Sequence, residues 1–190
     1  MTPEMRSLLA QIHEEWMHDP SLRPNKHETM RWAYQQICAG KDPWTGLGSF
    51  KHTWYGYAKN IRADLVREPL ELPEQETKYT RQWAAFCAAS VEFLCERYNV
   101  ACPEWVYDPH YTLEIPWWHS QRADDPTIQE DLLKTTPAPF ARRNVFCGNR
   151  LFQNKYEMYE WTQEARSKGL KDPGAIWRYA RDKEIAIHGA

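Results

Sequence analysis

The chain has 190 residues, with 24 Lys and Arg against 26 Asp and Glu, a formal charge of -2, and ten tryptophans beside ten tyrosines. That length buries a core of its own and defaults to one domain, while the near-neutral balance removes the simplest electrostatic route to nucleic acid, which needs a surplus of Lys and Arg. No run of about 18 apolar residues occurs, and the opening MTPEMRSLLAQIHEEW carries acids inside its apolar stretch, so the sequence predicts neither a spanning helix nor a signal peptide, and a cytoplasmic protein with no membrane association.

Thr2 as cap and Pro3 at the first helical position open a predicted helix in which Met5, Leu8, Leu9, Ile12 and Trp16 share one face, and Asp19-Pro20 ends it. A second is predicted from Asn25, with Glu28 returning the capping bond, through Met30, Ala33 and Ile37 to Gly40, a left-handed terminator. Phe50, Trp54, Tyr57, Ile61 and Leu65 define a third, with Ser49 as cap and Glu68-Pro69 as stop, because the residue before proline is driven out of the helical region. The acidic linker EPLELPEQE follows. The strongest helical signal lies in 73–99, where TKYTRQWAAFCAASVEFLCERYNV puts Trp83, Phe86, Cys87, Ser90, Val91, Leu94 and Tyr98 on a face widened by alanines. Such a width predicts contacts on more than one side, hence a central helix.

After Val100 the residues Pro103, Pro109, Pro116 and Pro126 forbid a long helix and predict an extended strap over 100–126. Helices resume at Thr127, whose partner Glu130 completes a capping box ahead of Ile128, Leu132 and Leu133, and TTPAP stops this one. Asn154 with Glu157 opens another through Met158, Trp161 and Ala165 to Gly169; Asp172 with Pro173 opens the last, carrying Ile176, Ala180 and Ile187. The predicted fold is all-α: a single compact domain over 1–190 with six or seven helices, N-terminal helices in 1–69, the central helix in 73–99, the proline-rich aromatic strap in 100–126 and C-terminal helices in 127–190.

The segments DPWTGLGSF, YAKNIRADLVREPL, RQWAAFCAASVEFLC, CPEWVYDPHYTLEIPWW and TTPAPFARRNVFCGNRLF resemble, in the same order, segments of a loosely defined group of bacterial helical proteins without an assigned activity, over about residues 42–155. The resemblance implies a bacterial cytoplasmic helical domain, a setting near toxin–antitoxin or regulatory genes, and no catalytic residues to carry over.

Within the strap, EWVYDPHYTLEIPWWH at 104–119 spaces Trp105, Tyr107, Tyr111, Leu113, Ile115 and Trp117 mainly by two. That period predicts alternate side chains pressed onto the helices while Asp108, Thr112 and Glu114 face water. Trp118, pointing opposite to Trp117, is then the outward ring and the candidate anchor for a partner, since Trp and Arg dominate interface hot spots.

Three chemistries compete with packing. Asp108, His110, Glu114 and His119 are metal-ligand types, but no HExxH or CxxC spacing accompanies them, and no metal is predicted. Of five cysteines, Cys38, Cys87, Cys95, Cys102 and Cys147, the odd number and apolar settings predict buried free thiols; only Cys147 has neighbouring cations, Arg142, Arg143 and Arg150, to make it a reactive-thiol candidate. GLGS lacks a following lysine and a preceding strand, so no phosphate loop and no cofactor is predicted.

Residues 101–140 hold seven acids against two bases, and residues 141–190 hold ten bases against six acids. Mutual packing of the two segments would account for this. Alternatively Arg142, Arg143, Arg178 and Arg181, with the other C-terminal bases, form a basic face for a partner, although Glu157, Glu160, Glu164, Asp182 and Glu184 interleave with them. Three functions fit: a non-catalytic interaction or regulatory protein, antitoxin-like or accessory, meeting a protein partner through Trp118 and these arginines; a small enzyme with a polar site around His110, His119 or Cys147; and a nucleic-acid-binding module using the basic C-terminal region.

Overall fold

A computed structural model describes residues 28–188. Among them are eight helices and one two-residue parallel strand pair, an all-α domain. The helix expected over Met5–Trp16 and the expected cap Asn25 lie outside the described residues.

The first helix, α1 (Met30–Cys38), is capped by Thr29, whose hydroxyl accepts from the Trp32 N–H, and it closes at Gly40 with φ +80°. Next, α2 (Pro43–His52) starts at Asp42 and not at Ser49: the Asp42 carboxylate accepts from the Trp44 N–H, and Pro43 takes the first turn, where a missing N–H costs nothing. The helix expected to run on to Leu65 instead widens into a π-helical turn at Thr53–Tyr57, breaks, and resumes as α3 (Arg62–Val66). The break rotates the chain, so that Trp54, Ile61 and Leu65 are buried while Tyr57 is 68% exposed. Where α1 and α2 cross, a Cβ on Gly46 would stand 3.0 Å from the Ala33 carbonyl oxygen, which is why a glycine sits there.

The central helix α4 (Lys78–Tyr98) opens with a reciprocal pair: the Thr77 hydroxyl accepts from Thr80 N and the Thr80 hydroxyl accepts from Thr77 N. It ends at Asn99 in the left-handed conformation, φ 51°. Its buried residues, from Trp83 to Cys95, meet α1, the strap and the segment after the next helix pair, as the wide apolar face required. The strap is not uniformly extended. Pro103 and Asp108-Pro109 start 3-10 turns at Glu104–Tyr107 and Pro109–Tyr111, which breaks the expected period of two. Val106, Tyr111 and Leu113 are buried, but Tyr107 is 56% and Ile115 74% exposed.

The strap then forms β1 (Trp117–Trp118) against β2 (Val145–Phe146), with Trp117 opposite Val145 and Trp118 opposite Phe146. A parallel pair needs a long crossover, and α5 (Pro126–Thr135) with the single-turn α6 (Ala138–Ala141) supplies it. Here Asp125 caps α5 and Thr127 lies inside it, because Asp125 accepts from the Thr127 N–H and Pro126 takes the first turn. Asn154 caps α7 (Lys155–Ser167) as expected, and α8 (Pro173–His188) follows Asp172, whose carboxylate accepts from the Ala175 N–H. Splitting the third helix and adding α6 account for the count of helices above that expected.

Candidate functional site

The fold does not gather the residues named from sequence into one site. Trp118 is half-buried, with its ring stacked on Phe146 at 4.5 Å between centroids and 22° between planes, so it is not the bare outward ring expected of simple alternation. Pairing of β1 with β2 brings Phe146 beside it. Trp117 meets Trp83 and Phe86 edge-on at 5.2 and 6.2 Å.

The four arginines do not form one basic face. Arg143 is only 4% exposed, and its guanidinium grips the carboxylate of Glu92, itself 1% exposed, while donating at 2.7 Å to the carbonyls of Pro139 and Val106. Arg142 reaches the same carboxylate at 2.6 Å. Arg181 donates at 2.5 Å to Glu184, a second buried acid that also receives Arg97 at 2.7 Å and Gln153 at 3.2 Å. Lys183, Tyr179 and Lys168 converge on Glu164 and hold its carboxyl down to about 2. Arg178 remains exposed, 3.9 Å from Asp172. The buried acids escaped the sequence reading, although a glutamate inside ASVEFLC, on an otherwise apolar helical face, is the kind of signal that marks a paired charge.

His110 stands apart from His119 and Cys147, whereas His119 follows β1 and donates its N–H to the carbonyl of Phe146 at 2.8 Å, which places it beside Cys147 at the end of the strand pair. His110 lies at the surface, its Nε2 2.7 Å from Glu76. His119 is enclosed by Trp117, Trp83, Trp44 and Phe86, with ring centroids 5.0 to 5.8 Å away, and this burial lowers its pKa. Burial pushes the Cys147 thiol up to about 12, opposite to what a nucleophile needs. The Thr136 hydroxyl accepts from the Cys147 and Gly148 N–H groups at 3.0 and 2.9 Å, and Cys147 lines a cavity of about 300 Å³ that Arg150 and Asp131 also line. Among the described residues, no group of three His, Cys, Asp or Glu is placed to hold a metal ion, and no helix is long and apolar enough to cross a membrane.

What the fold does assemble is a groove of about 380 Å³ where the start of α4 faces the strap, lined by Glu76, Thr77, Lys78, Arg81, Gln82, Leu113, Glu114 and Ile115. One part of its polarity is already engaged: Glu76 takes both His110 and, at 3.8 Å, Arg81. Lys78 and Glu114 have no ion-pair partner among the described residues. Ile115 stands 74% exposed at the lip, held out because Pro116 follows it and Trp117 is tied back through its N–H to the Asn144 carbonyl at 2.8 Å. Chemically the groove offers an apolar contact flanked by both signs of charge, which suits recognition.

Compared with family models, curated proteins and solved structures, the chain matches none.

Proposed function

We propose that the protein is a non-catalytic interaction or regulatory protein that holds an extended segment of a protein partner in the groove between the start of α4 and the strap. The carrying observation is Ile115, a large aliphatic side chain 74% exposed at the lip of a groove of about 380 Å³, between Lys78 and Arg81 on one wall and Glu114 on the other. An exposed apolar residue flanked by the unpaired charges of Lys78 and Glu114 gives a partner both something to bury and something to orient on. The separation of His110 from the other two, His119 and Cys147, and the burial that raises the Cys147 thiol to about 12, support a binding role over the enzyme reading. Internal pairing of Arg142, Arg143 and Arg181 supports a protein partner over nucleic acid, and shifts the contact surface from Trp118 and the arginines to the groove.

Five free thiols support a reducing compartment such as the cytoplasm, and the segment resemblance supports a bacterial setting and an antitoxin-like or accessory role. The test replaces Ile115 with a photo-crosslinking residue and, separately, with Asp, in the native host. The crosslinker captures one defined partner, and Ile115→Asp weakens its retention by about 2 kcal/mol or more, as loss of a hot spot does, while the melting temperature is unchanged. Undiminished retention by Ile115→Asp removes the groove as the binding surface.

A further inference from the structure

A second cavity, of about 140 Å³, lies between α2 and the start of α7 and is lined by Gly48, Lys51, His52, Tyr55, Gln153 and Lys155. Its lining carries three basic side chains and no carboxylate. Lys51 is half-buried; its ammonium lies 5.4 Å from the centre of the Trp44 ring and 5.6 Å from that of Phe152, and donates to the Leu151 carbonyl at 3.1 Å. An ammonium has three N–H donors, so most of its capacity is left for something in the cavity.

Lys155 donates to His52 Nε2 at 2.5 Å, which makes that nitrogen the acceptor, and the other ring nitrogen, Nδ1, then donates to the Tyr156 hydroxyl at 2.9 Å. A cation placed against a neutral imidazole has taken a weak partner. Neither lysine has a carboxylate within ion-pair distance among the described residues. The rest of the domain behaves differently, since the buried cations Arg97 and Arg143 each hold a buried glutamate. Burial, with the nearby Lys155 charge, lowers the Lys51 pKa, the direction expected of an ammonium taken out of water without a counter-charge. The first turn of α7 starts at Lys155 and adds the positive end of a helix dipole of 13 residues.

We propose that this cavity binds a small tetrahedral oxyanion, a phosphate or a phosphoryl group, between the ammonium groups of Lys51 and Lys155. Size supports a group over a whole nucleotide: ligand pockets run from about 300 Å³ upward, and this one holds the volume of roughly four or five waters. A doubly charged anion answers two point charges better than a carboxylate does, and lysine binds phosphate in this way.

The full chain is titrated with inorganic phosphate at constant ionic strength held by chloride, with binding followed by calorimetry and by melting temperature. Saturable binding and a saturable rise in melting temperature are expected, both weakened roughly tenfold or more in Lys155→Met, as loss of a charged hydrogen bond requires; Lys155 is exposed, so that variant folds without ligand as the parent does. Lys51→Met, which keeps a long side chain between the two rings, loses binding as well. A phosphomonoester binding more tightly than inorganic phosphate identifies a phosphorylated molecule as the source of the group, and equal or weaker binding identifies the free anion; either supports the site. Absence of saturation, equal affinity in Lys155→Met, or acetate binding as tightly as phosphate overturns the proposal.

Discussion

Glu92 is the buried charge on which the strap depends, and its removal has a calculable cost. The carboxylate is 1% exposed and is shared by Arg143, 4% exposed, and Arg142, whose side chain is 49% exposed. Glu92→Ala leaves the Arg143 guanidinium buried with only the Val106 and Pro139 carbonyls, each at 2.7 Å. Breaking a buried pair from one side costs about 3–5 kcal/mol, whereas the half-exposed Arg142 contact adds well under 1 kcal/mol, roughly, because solvent screens it. For a domain of this size each kcal/mol moves the melting temperature by about 2–4 °C, so a fall of roughly 10 °C is expected. Glu92→Gln keeps the shape and an acceptor and loses less. Urea denaturation followed by tryptophan fluorescence measures each variant, including Arg143→Met and the double variant Glu92→Leu/Arg143→Met. The double variant costs less than the sum of its parts, since neither partner is stranded. A loss below about 1 kcal/mol in Glu92→Ala, or strict additivity in the double variant, refutes the reasoning.

Because burial depresses the His119 pKa in the fold, the unfolded chain takes up that proton first; this part of the stability is complete above the ordinary histidine value of about 6.5 and declines as pH falls below it. Urea midpoints measured on either side of that value should show the decline in the parent and a shallower one in His119→Phe, and parallel curves refute it. The Cys95 and Cys147 thiols, each pushed by burial to about 12, should resist a disulfide reagent in the folded chain and react on unfolding; rapid reaction at either in the native state contradicts the burial argument. Trp117→Ala and Trp118→Ala should both destabilise, the first by about 2–4 kcal/mol through its contacts with Trp83 and Phe86, the second by about 1–2 kcal/mol through the lost stack on Phe146. Thermal melts separate them, and a neutral Trp118→Ala returns that ring to the role of a free anchor.

Helix-forming signals were legible wherever one local device decided the outcome. Asn154 and Asp172 cap the helices they were expected to cap, and Gly40 and Gly169 terminate with positive φ. Where two devices competed, the sequence pattern did not decide between them. Asp42-Pro43 outcompeted Ser49, and Asp125-Pro126 outcompeted Thr127, because an aspartate one residue ahead of proline both caps and starts a helix. The strap misled for a different reason: a period of two assumes continuous extension, and the 3-10 turns at Glu104–Tyr107 and Pro109–Tyr111 shift the phase, so Leu113 is buried while Ile115 is not. The groove was therefore illegible, since its lip depends on that phase and its wall on residues more than 30 positions away in sequence.

Charge followed the same logic. The acidic block 101–140 and the basic block 141–190 suggested that the two segments neutralise each other, yet no ion pair joins them among the described residues. Asp125 and Glu130 pair within their own block, with Arg122 and Lys134. The basic block divides its cations between its own acids, Glu164 and Glu184, and Glu92 of the central helix. Window averages count charges that face water equally with those that do not, but only the buried carboxylates demand partners, and they take the nearest cations that backbone geometry can deliver. Glu92 draws in the strap and α6 through Arg143, and Arg97 ties the last turn of α4 to α8 through Glu184. The two buried acids thus bolt the C-terminal half onto α4 from within, which leaves Lys51 and Lys155 as the basic pair that the fold gathers around a cavity and provides with no carboxylate.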